Sequence, residues 1–543
     1  MGRVIAYGQL GGFGTRLAPL LHQPGMKSGK ILAQEGRNLK PFNHNSYYAV
    51  PKPILTYFCT ALSEPLMRRA VAAGVDDLRM TVHNQPEIVT GYYRGRPLGR
   101  GVYVKRFLYE YTPLDTSGGI VRDVVAGINE GAIKPEDTIL ILGGDIRTDA
   151  NVAEFLAEHN AKNADVSILL SEVDRNEMYR FGGALREGDA TPELMDITMK
   201  IREKGREIDK PFKIYGDLNL NQAKMARILK FFEKTLSFDI NKVTNPGREI
   251  VGELCKKYLL GPGATASTNL QNGSIYAFRA ELIYHLAPLV FNLPREASAH
   301  EWERADNINL TGPSRFSDFG GDWFMALTGC KPLPAPTVDP KMAEIQRKII
   351  EDLQKGMPQV FGYKHVGKWS DDGTLPAVLQ GHFEMLDDLV KNKQDSYWPI
   401  GWDSVKLGFP EGIITMSNIE LKDVEIIPPV FIGAGVIVHP GARIGPYAII
   451  NREWEIHGTV KNSVFLTKKM IDQEIEGARG WRRFVLPQNW YVEGSLVGSG
   501  FEPFAIDKDG NPIHSHRVNS THSIVNSVVV SNGSQNVISP IDI

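Results

Sequence analysis

Leu10-Gly11-Gly12-Phe13-Gly14-Thr15-Arg16-Leu17-Ala18-Pro19-Leu20 follows a short apolar run, Val4-Ile5-Ala6-Tyr7, that reads as a β-strand. Glycines at 11, 12 and 14 let a backbone turn tightly and approach a ligand with no Cβ in the way. Their N–H groups can form a nest for phosphate oxygens. Arg16 adds a permanent, forked cation beside that nest. No Gly-Lys-Ser/Thr closes the stretch, so it is not a Walker A loop. Leu17 stands where a dinucleotide fingerprint needs its third glycine. The plain alternative is a glycine-rich turn after an edge strand.

The flanking sequence supplies the rest of an α/β pattern. Residues 21–50 are polar and rich in Gly, Pro, Asn and His, which reads as a long loop or lid over the turn. Leu55, Phe58, Leu62 and Leu66 recur at near-helical spacing from Ile54 to Val71. Gly74 is a stop signal, and Asp77 to Val82 reads as the next strand. Thr138-Ile139-Leu140-Ile141-Leu142-Gly143-Gly144-Asp145 is a buried-type strand ending at a carboxylate, followed by a helix over 152–162 and a strand over 165–171. Strand and helix alternate, so a parallel sheet with covering helices is expected. Its ligands would bind beyond the carboxyl ends of the strands, where the glycine turn and Asp145 lie.

The period changes after a polar stretch from Lys391 to Pro410. Ile426, Ile432, Val438, Ile444, Ile450 and Ile456 fall six apart, and Val424, Val430, Val436, Ala442, Ala448 and Trp454 precede each by two. Hexads of this kind predict a parallel β-helix with one hexad per face and the aliphatic residue inside. Residues 457–516 break the spacing, and Ser523 to Val530 reads as a returning coil. The expected organisation is 1–390 as one domain, 391–420 as a linker and 421–543 as the β-helix.

Composition narrows the function classes. The 543 residues exceed one ordinary core. Hydrophobic residues make up 42% and charged residues 23%, as in ordinary globular proteins. A formal net charge of -2 gives no basic field for nucleic acid. Cys59, Cys255 and Cys330 are far apart, which reads as reduced thiols in a cytoplasmic protein. Neither a leader peptide nor a membrane-length apolar run is expected, so no membrane partner is.

Taken in order, the motifs resemble those of the sugar-1-phosphate nucleotidylyltransferases, among them the GDP-mannose and ADP-glucose pyrophosphorylases with a C-terminal left-handed β-helix. The glycine stretch resembles their signature. Pro51-Lys52-Pro53 resembles their Lys-Pro pair, displaced here by the 21–50 insertion, with Lys40-Pro41 as a rival. Glu110 to Gly119 resembles their second nucleotide loop, with Asp115 in place of a glycine. Phe181-Gly182 with Glu203-Lys204, and Asn272 to Phe278 with Ser274 in place of a glycine, resemble their sugar-binding segments. Trp369-Ser370-Asp371-Asp372-Gly373-Thr374 resembles Trp-x-Asp-x-Gly-Thr.

The resemblance implies a Rossmann-like nucleotidyltransferase domain with a mixed, mainly parallel sheet, followed by a left-handed parallel β-helix of hexapeptide repeats. It implies catalytic roles for Arg16 and Lys52, and nucleotide binding by Leu10, Gly11, Gly12, Gly14, Thr15, Glu110, Ser117 and Gly118. It further implies sugar-phosphate binding by Glu203, Lys204 and Asn272, and magnesium as cofactor on Asp145 and Asp371. The substrates would be a nucleoside triphosphate and a sugar 1-phosphate, and the chain would self-associate through the β-helix. A carboxylate at Glu110 can accept two N–H donors of guanine, which tilts the base toward GTP and the activity toward mannose-1-phosphate guanylyltransferase. An exposed glutamate is the plain alternative there. The other readings are a glucose-1-phosphate adenylyl- or uridylyltransferase, a non-catalytic regulatory paralogue, and an acyltransferase using His439.

Overall fold

The computed structural model describes residues 2–12, 51–110, 114–173, 183–184, 197–203, 206–212, 270–305, 316–327, 333–356, 358–391, 411–416, 423–452, 454–466, 484–486, 488–498, 505–506, 512–513, 523–525, 527–531 and 536–540. The principal elements of its α/β part are β1 (Val4–Gln9), α1 (Glu64–Ala72), β2 (Asp77–Val82), β3 (Val104–Tyr109), α2 (Gly118–Asn129), β4 (Thr138–Gly143) and β5 (Ile146–Thr148), then α3 (Val152–Ala161), β6 (Val166–Glu172), β7 (Leu270–Arg279), α4 (Ala280–Val290), β8 (Val360–His365), β9 (Trp369–Asp371) and α5 (Leu375–Lys391). The chain packs as two compact units. One comprises Met1–Tyr7, Leu114–Leu142 and Ala150–Trp369; the other comprises Gly8–Pro113, Gly143–Asp149 and Ser370–Ile543.

In the first unit the strands run in hydrogen-bonded order β8-β6-β7-β4-β1. Every residue of β4 is buried, as its unbroken apolar sequence requires of a strand covered on both faces. Each such aliphatic side chain contributes roughly 2 kcal/mol by leaving water. β8 lies parallel to β6, whereas β7 is antiparallel to both β6 and β4, so the sheet is mixed. A bulge between Asn272 and Tyr276 separates two registers of β7 on β6. Helices α2 and α4 pack together beside this sheet. Inside the unit the buried Tyr7 hydroxyl donates to Asp123 Oδ2 at 2.8 Å, and Phe278 stacks on Phe324 with ring centroids 5.8 Å apart.

The second unit takes the end of β1 together with β2 and β3, which are parallel. The periodicity from Ile54 predicts a helix, but α1 begins only at Glu64. Thr56–Tyr57 and Thr60–Ala61 instead form a hairpin whose tip, Phe58 and Cys59, has φ of 48° and 65°. Positive φ at both central residues gives a tight hairpin its twist and excludes a helix there. Gly74, at φ 102°, ends α1 as expected.

The hexads form short parallel strands that visit three sheets in turn. Ile426 pairs with Ile444, Ile432 with Ile450 and Val438 with Ile456, each pair three hexads apart. Val430, Val436, Ala442, Ala448 and Trp454 share one core with Ile432, Ile444, Ile450, Ile456, Val460, Phe465 and Leu486, and Ile426 and Val438 pack against it. The stretch after 457 does not interrupt the pairing. Ile444 pairs onward with Val460, Ile450 with Phe465 and Ile456 with Leu486, and later strands continue parallel to Ser523–Val525 and Ser527–Ser531. The spacing between these strands is no longer six, which a six-residue count cannot follow, and Ala505–Ile506 pairs antiparallel with Pro512–Ile513 outside the three sheets. Asn536–Pro540 then turns back antiparallel.

These sheets are anchored within their unit by the hairpin and α5. Phe58 meets Phe431 edge to face at 5.0 Å, the backbone N–H of Cys59 donates to Asn451 Oδ1 at 2.9 Å, and the Tyr447 hydroxyl donates to Asp387 Oδ1 at 3.0 Å. Burial pushes the Cys59 thiol up to about 12, which makes it an inert packing residue. No helix among the described residues is long and apolar enough to cross a membrane.

Candidate active site

Lys52 lies in a three-residue 3-10 turn, Lys52–Ile54, between Pro51 and Pro53. The two proline rings fix the backbone on either side. Leu55 N–H donates to Lys52 O at 3.0 Å, and Ser63 Oγ donates to Pro53 O at 2.8 Å. The side chain is thereby held in one direction and is 96% covered. Its ammonium donates to Asp145 Oδ2 at 3.1 Å and to Asp371 Oδ1 at 2.6 Å. Burial acts to lower the Lys52 pKa, but the charges and hydrogen bonds of the two aspartates outweigh it and leave the group above the ordinary lysine value.

The aspartates arrive from two strands of one small sheet. Asp145 immediately precedes β5, Asp371 ends β9, and β5 pairs with β9. Gly144 is required for this approach. Its N–H donates to Gln9 O at 3.1 Å, and a Cβ there would sit 2.5 Å from the same oxygen. Neighbouring residues of a strand point to opposite sides. Asp372 therefore turns inward, fully buried, and accepts from Tyr57 Oη at 2.6 Å, Arg147 Nε at 3.1 Å and Ser370 Oγ at 2.6 Å. The Tyr57 ring stacks on buried His382 at 3.8 Å. Asp372, Arg147, Tyr57 and His382 were not among the expected site residues. Only the Asp371-Asp372 doublet carried a local signal, because alternation lets just one of the two face the site.

Leu10 is buried and its N–H donates to Thr81 O at 3.0 Å, which fixes the start of the glycine stretch. A Cβ on Gly11 would press on His83 Cβ at 3.3 Å, whereas one on Gly12 would meet nothing within 4 Å among the described residues. Gly14, Thr15 and Arg16 lie outside the described residues, as do Lys40 and Lys204. Glu110 follows β3, is 9% exposed, and its carbonyl contacts His83 Nδ1 at 2.5 Å. Leu10, Gly11, Gly12, Lys52, Glu110, Asp145 and Asp371 all belong to the second unit; the contacts above join Lys52, Asp145 and Asp371.

Ser117, Gly118, Glu203 and Asn272 belong to the first unit. Ser117 is buried and donates through both N–H and Oγ to Ser317 O, at 3.0 and 2.7 Å. Gly118 N–H donates to Leu114 O at 3.1 Å and opens α2. Glu203 ends the strand Ile197–Glu203, which pairs antiparallel with Arg206–Phe212. Asn272 Oδ1 accepts the Ser274 N–H at 2.9 Å, closing the β7 bulge.

The two departures from glycine have a common explanation. Asp115 has φ of 59° and Ser274 of 58°, so both keep the left-handed backbone that glycine adopts most easily. Each is stabilised by a short polar contact. Ser317 Oγ donates to Asp115 Oδ2 at 3.1 Å, and the Asn272 amide oxygen holds Ser274.

Lys52 thus joins two carboxylates from distant parts of the chain, and the sequence comparisons point to one class of protein. The relatives found are sugar-1-phosphate nucleotidyltransferases, and the chain resembles that class. Mannose-1-phosphate guanyltransferase of Eremothecium gossypii is 24% identical over 193 residues, 35% of this chain and 47% of that protein. Mannose-1-phosphate guanylyltransferase of Mycobacterium tuberculosis is 27% identical over 144 residues, 26% of this chain and 36% of that protein. The chain thus matches under half the length of these curated relatives. No protein-family model matches it. Among solved structures, a Bacillus anthracis protein provisionally named glucose-1-phosphate thymidylyltransferase aligns with 73% of this chain and 98% of its own, at 12% identity and a TM-score of 0.35.

Proposed function

We propose that the chain is a sugar-1-phosphate nucleotidyltransferase that joins GTP and mannose 1-phosphate and releases pyrophosphate. The observation that carries this reading is the convergence of Lys52, Asp145 and Asp371. The sequence relatives' names and the carboxylate of Glu110 support mannose and guanine over the glucose, adenine and uracil alternatives.

An oxygen of the sugar phosphate attacks the α-phosphorus in line. A P–O bond forms there, the bond to the β-phosphate bridging oxygen breaks, and its electron pair leaves with pyrophosphate. No covalent intermediate on the protein is needed; positioning and charge neutralisation supply the catalysis. Lys52, with Arg16, binds and neutralises triphosphate oxygens, its ammonium moving from the aspartates to the phosphates. Asp145 and Asp371 offer the hard oxygen donors that magnesium takes from proteins, one or two carboxylates beside substrate phosphates. When bound, the ion would offset phosphate charge and weaken repulsion of the attacking anion.

We read the three parallel sheets as a left-handed β-helix within residues 421–543, following a catalytic domain over 1–390 and a linker over 391–420, and as the surface for self-association. Light scattering on the full chain tests the last point, and a monomeric mass excludes it.

A pyrophosphate-release screen of five nucleoside triphosphates against mannose, glucose, galactose and N-acetylglucosamine 1-phosphates tests the activity. GTP with mannose 1-phosphate should give the highest kcat/KM. Silence with every pair would instead favour the non-catalytic regulatory paralogue.

A further inference from the structure

His439, Glu455 and His457 lie together on one sheet of the hexad region. In the register of that sheet Val438 pairs with Ile456, so His439 and His457 occupy equivalent places on successive strands. Adjacent parallel strands lie about 4.8 Å apart. The two imidazoles accordingly stack, with ring centroids 3.7 Å apart and planes 10° from parallel. Glu455 stands two residues before His457 and therefore on the same face of its strand. Val438 and Ile456 pack in or against the core, and their neighbours face outward. The side chains of His439 and Glu455 are 33% and 24% exposed.

The polar atoms of the group are unusually placed. His439 Nε2 is buried and makes no hydrogen bond. It faces Glu455 Oε2 at 3.7 Å, beyond hydrogen-bond reach. One ligand atom from each of His439, Glu455 and His457 lies within 4.8 Å of the others. A tetrahedral ion with bonds of about 2.0–2.1 Å brings its ligands to a little over 3 Å apart. Partly exposed side chains can close that difference by side-chain rotation.

We propose that His439, Glu455 and His457 form a binding site for a divalent transition-metal ion of the zinc type, clamping two successive strands of the sheet. Two imidazoles and one carboxylate are zinc-type ligands and leave a fourth position for water. Magnesium, which prefers oxygen ligands in octahedral array, is not suited to them.

The test is a titration of the full chain with cobalt(II) as the spectroscopic probe, followed by displacement with zinc(II). An intense visible absorption typical of tetrahedral cobalt should saturate at one equivalent and disappear on adding zinc. His439→Gln and His457→Gln should each weaken binding at least about tenfold, since even the loss of groups supporting a ligand commonly costs that much. Glu455→Gln serves as a third variant should a histidine change disturb folding, which circular dichroism of the metal-free proteins would show. Asp371→Asn should leave the tetrahedral band and its midpoint unchanged. No tetrahedral band in the wild type, or equal titrations for wild type and all three ligand variants, overturns the site.

Discussion

The ammonium of Lys52 lies 2.6 Å from Oδ1 of Asp371, a residue 319 positions further along the chain. The same ammonium reaches Asp145, and it is the covered member of the trio: its side chain is 4% exposed, against 17% for Asp371 and 51% for Asp145. The lysine is thus the covered link between the two acids, which are the more exposed members.

This asymmetry predicts the behaviour of Asp371→Asn. The substitution removes charge from a partly exposed group and leaves Lys52 paired with Asp145. Because the ammonium keeps one carboxylate partner, stability should fall by less than on neutralising the fully buried Asp372. Pyrophosphate release should fall at least about 100-fold if the carboxylate works on phosphate charge. Near-normal turnover across a magnesium titration would remove Asp371 from the chemistry.

The neighbouring Asp372→Asn should show the reverse balance. Its carboxylate is fully buried and is the shared acceptor of Tyr57, Arg147 and Ser370. Loss of its charge leaves a buried guanidinium without its main counter-charge, at a cost of about 3 kcal/mol. Urea unfolding should resolve this easily, and a midpoint equal to that of Asp371→Asn would contradict the anchor role.

Gly144→Ala tests the close approach that sets Asp145. The added Cβ would stand 2.5 Å from Gln9 O, so one of the two backbones must move. We expect a loss of roughly 2 kcal/mol, typical of overpacking. The displacement of Asp145 should also lower turnover. Full stability and full activity together would show that the backbone relaxes freely.

His159 predicts an acid-sensitive component of stability. Burial, with help from Arg279, lowers its pKa to about 4, while its Nδ1 contacts Ser167 Oγ at 2.8 Å. The unfolded chain takes up a proton near pH 6.5 and the folded chain only near 4. Stability from this group is therefore complete above about pH 6.5, falls as the pH drops toward 4, and changes no further below that. The loss amounts to up to about 3 kcal/mol. His159→Gln should flatten the difference between unfolding free energies at pH 7 and pH 4.5; an unchanged difference would assign it to other groups.

The sequence by itself determined the features that depend on neighbouring residues. A continuous apolar run made β4 a buried strand, Gly74 ended α1, and six aligned aliphatic positions announced the three parallel sheets, because a ladder repeating every third hexad imprints its period on the chain. Tertiary structure alone decided the rest. Pairing continues past 457 because backbone hydrogen bonds tolerate unequal corner lengths that destroy the period. The tip at Phe58 and Cys59 replaces the expected helix because that hairpin packs on Phe431 and Asn451, far along the chain. Asp371 and Asp372 are identical as letters; pairing of β9 with β5 turns one toward Lys52 and the other onto Arg147. His439 and His457 become neighbours for the same reason: two strands eighteen positions out of step in sequence are in register in space.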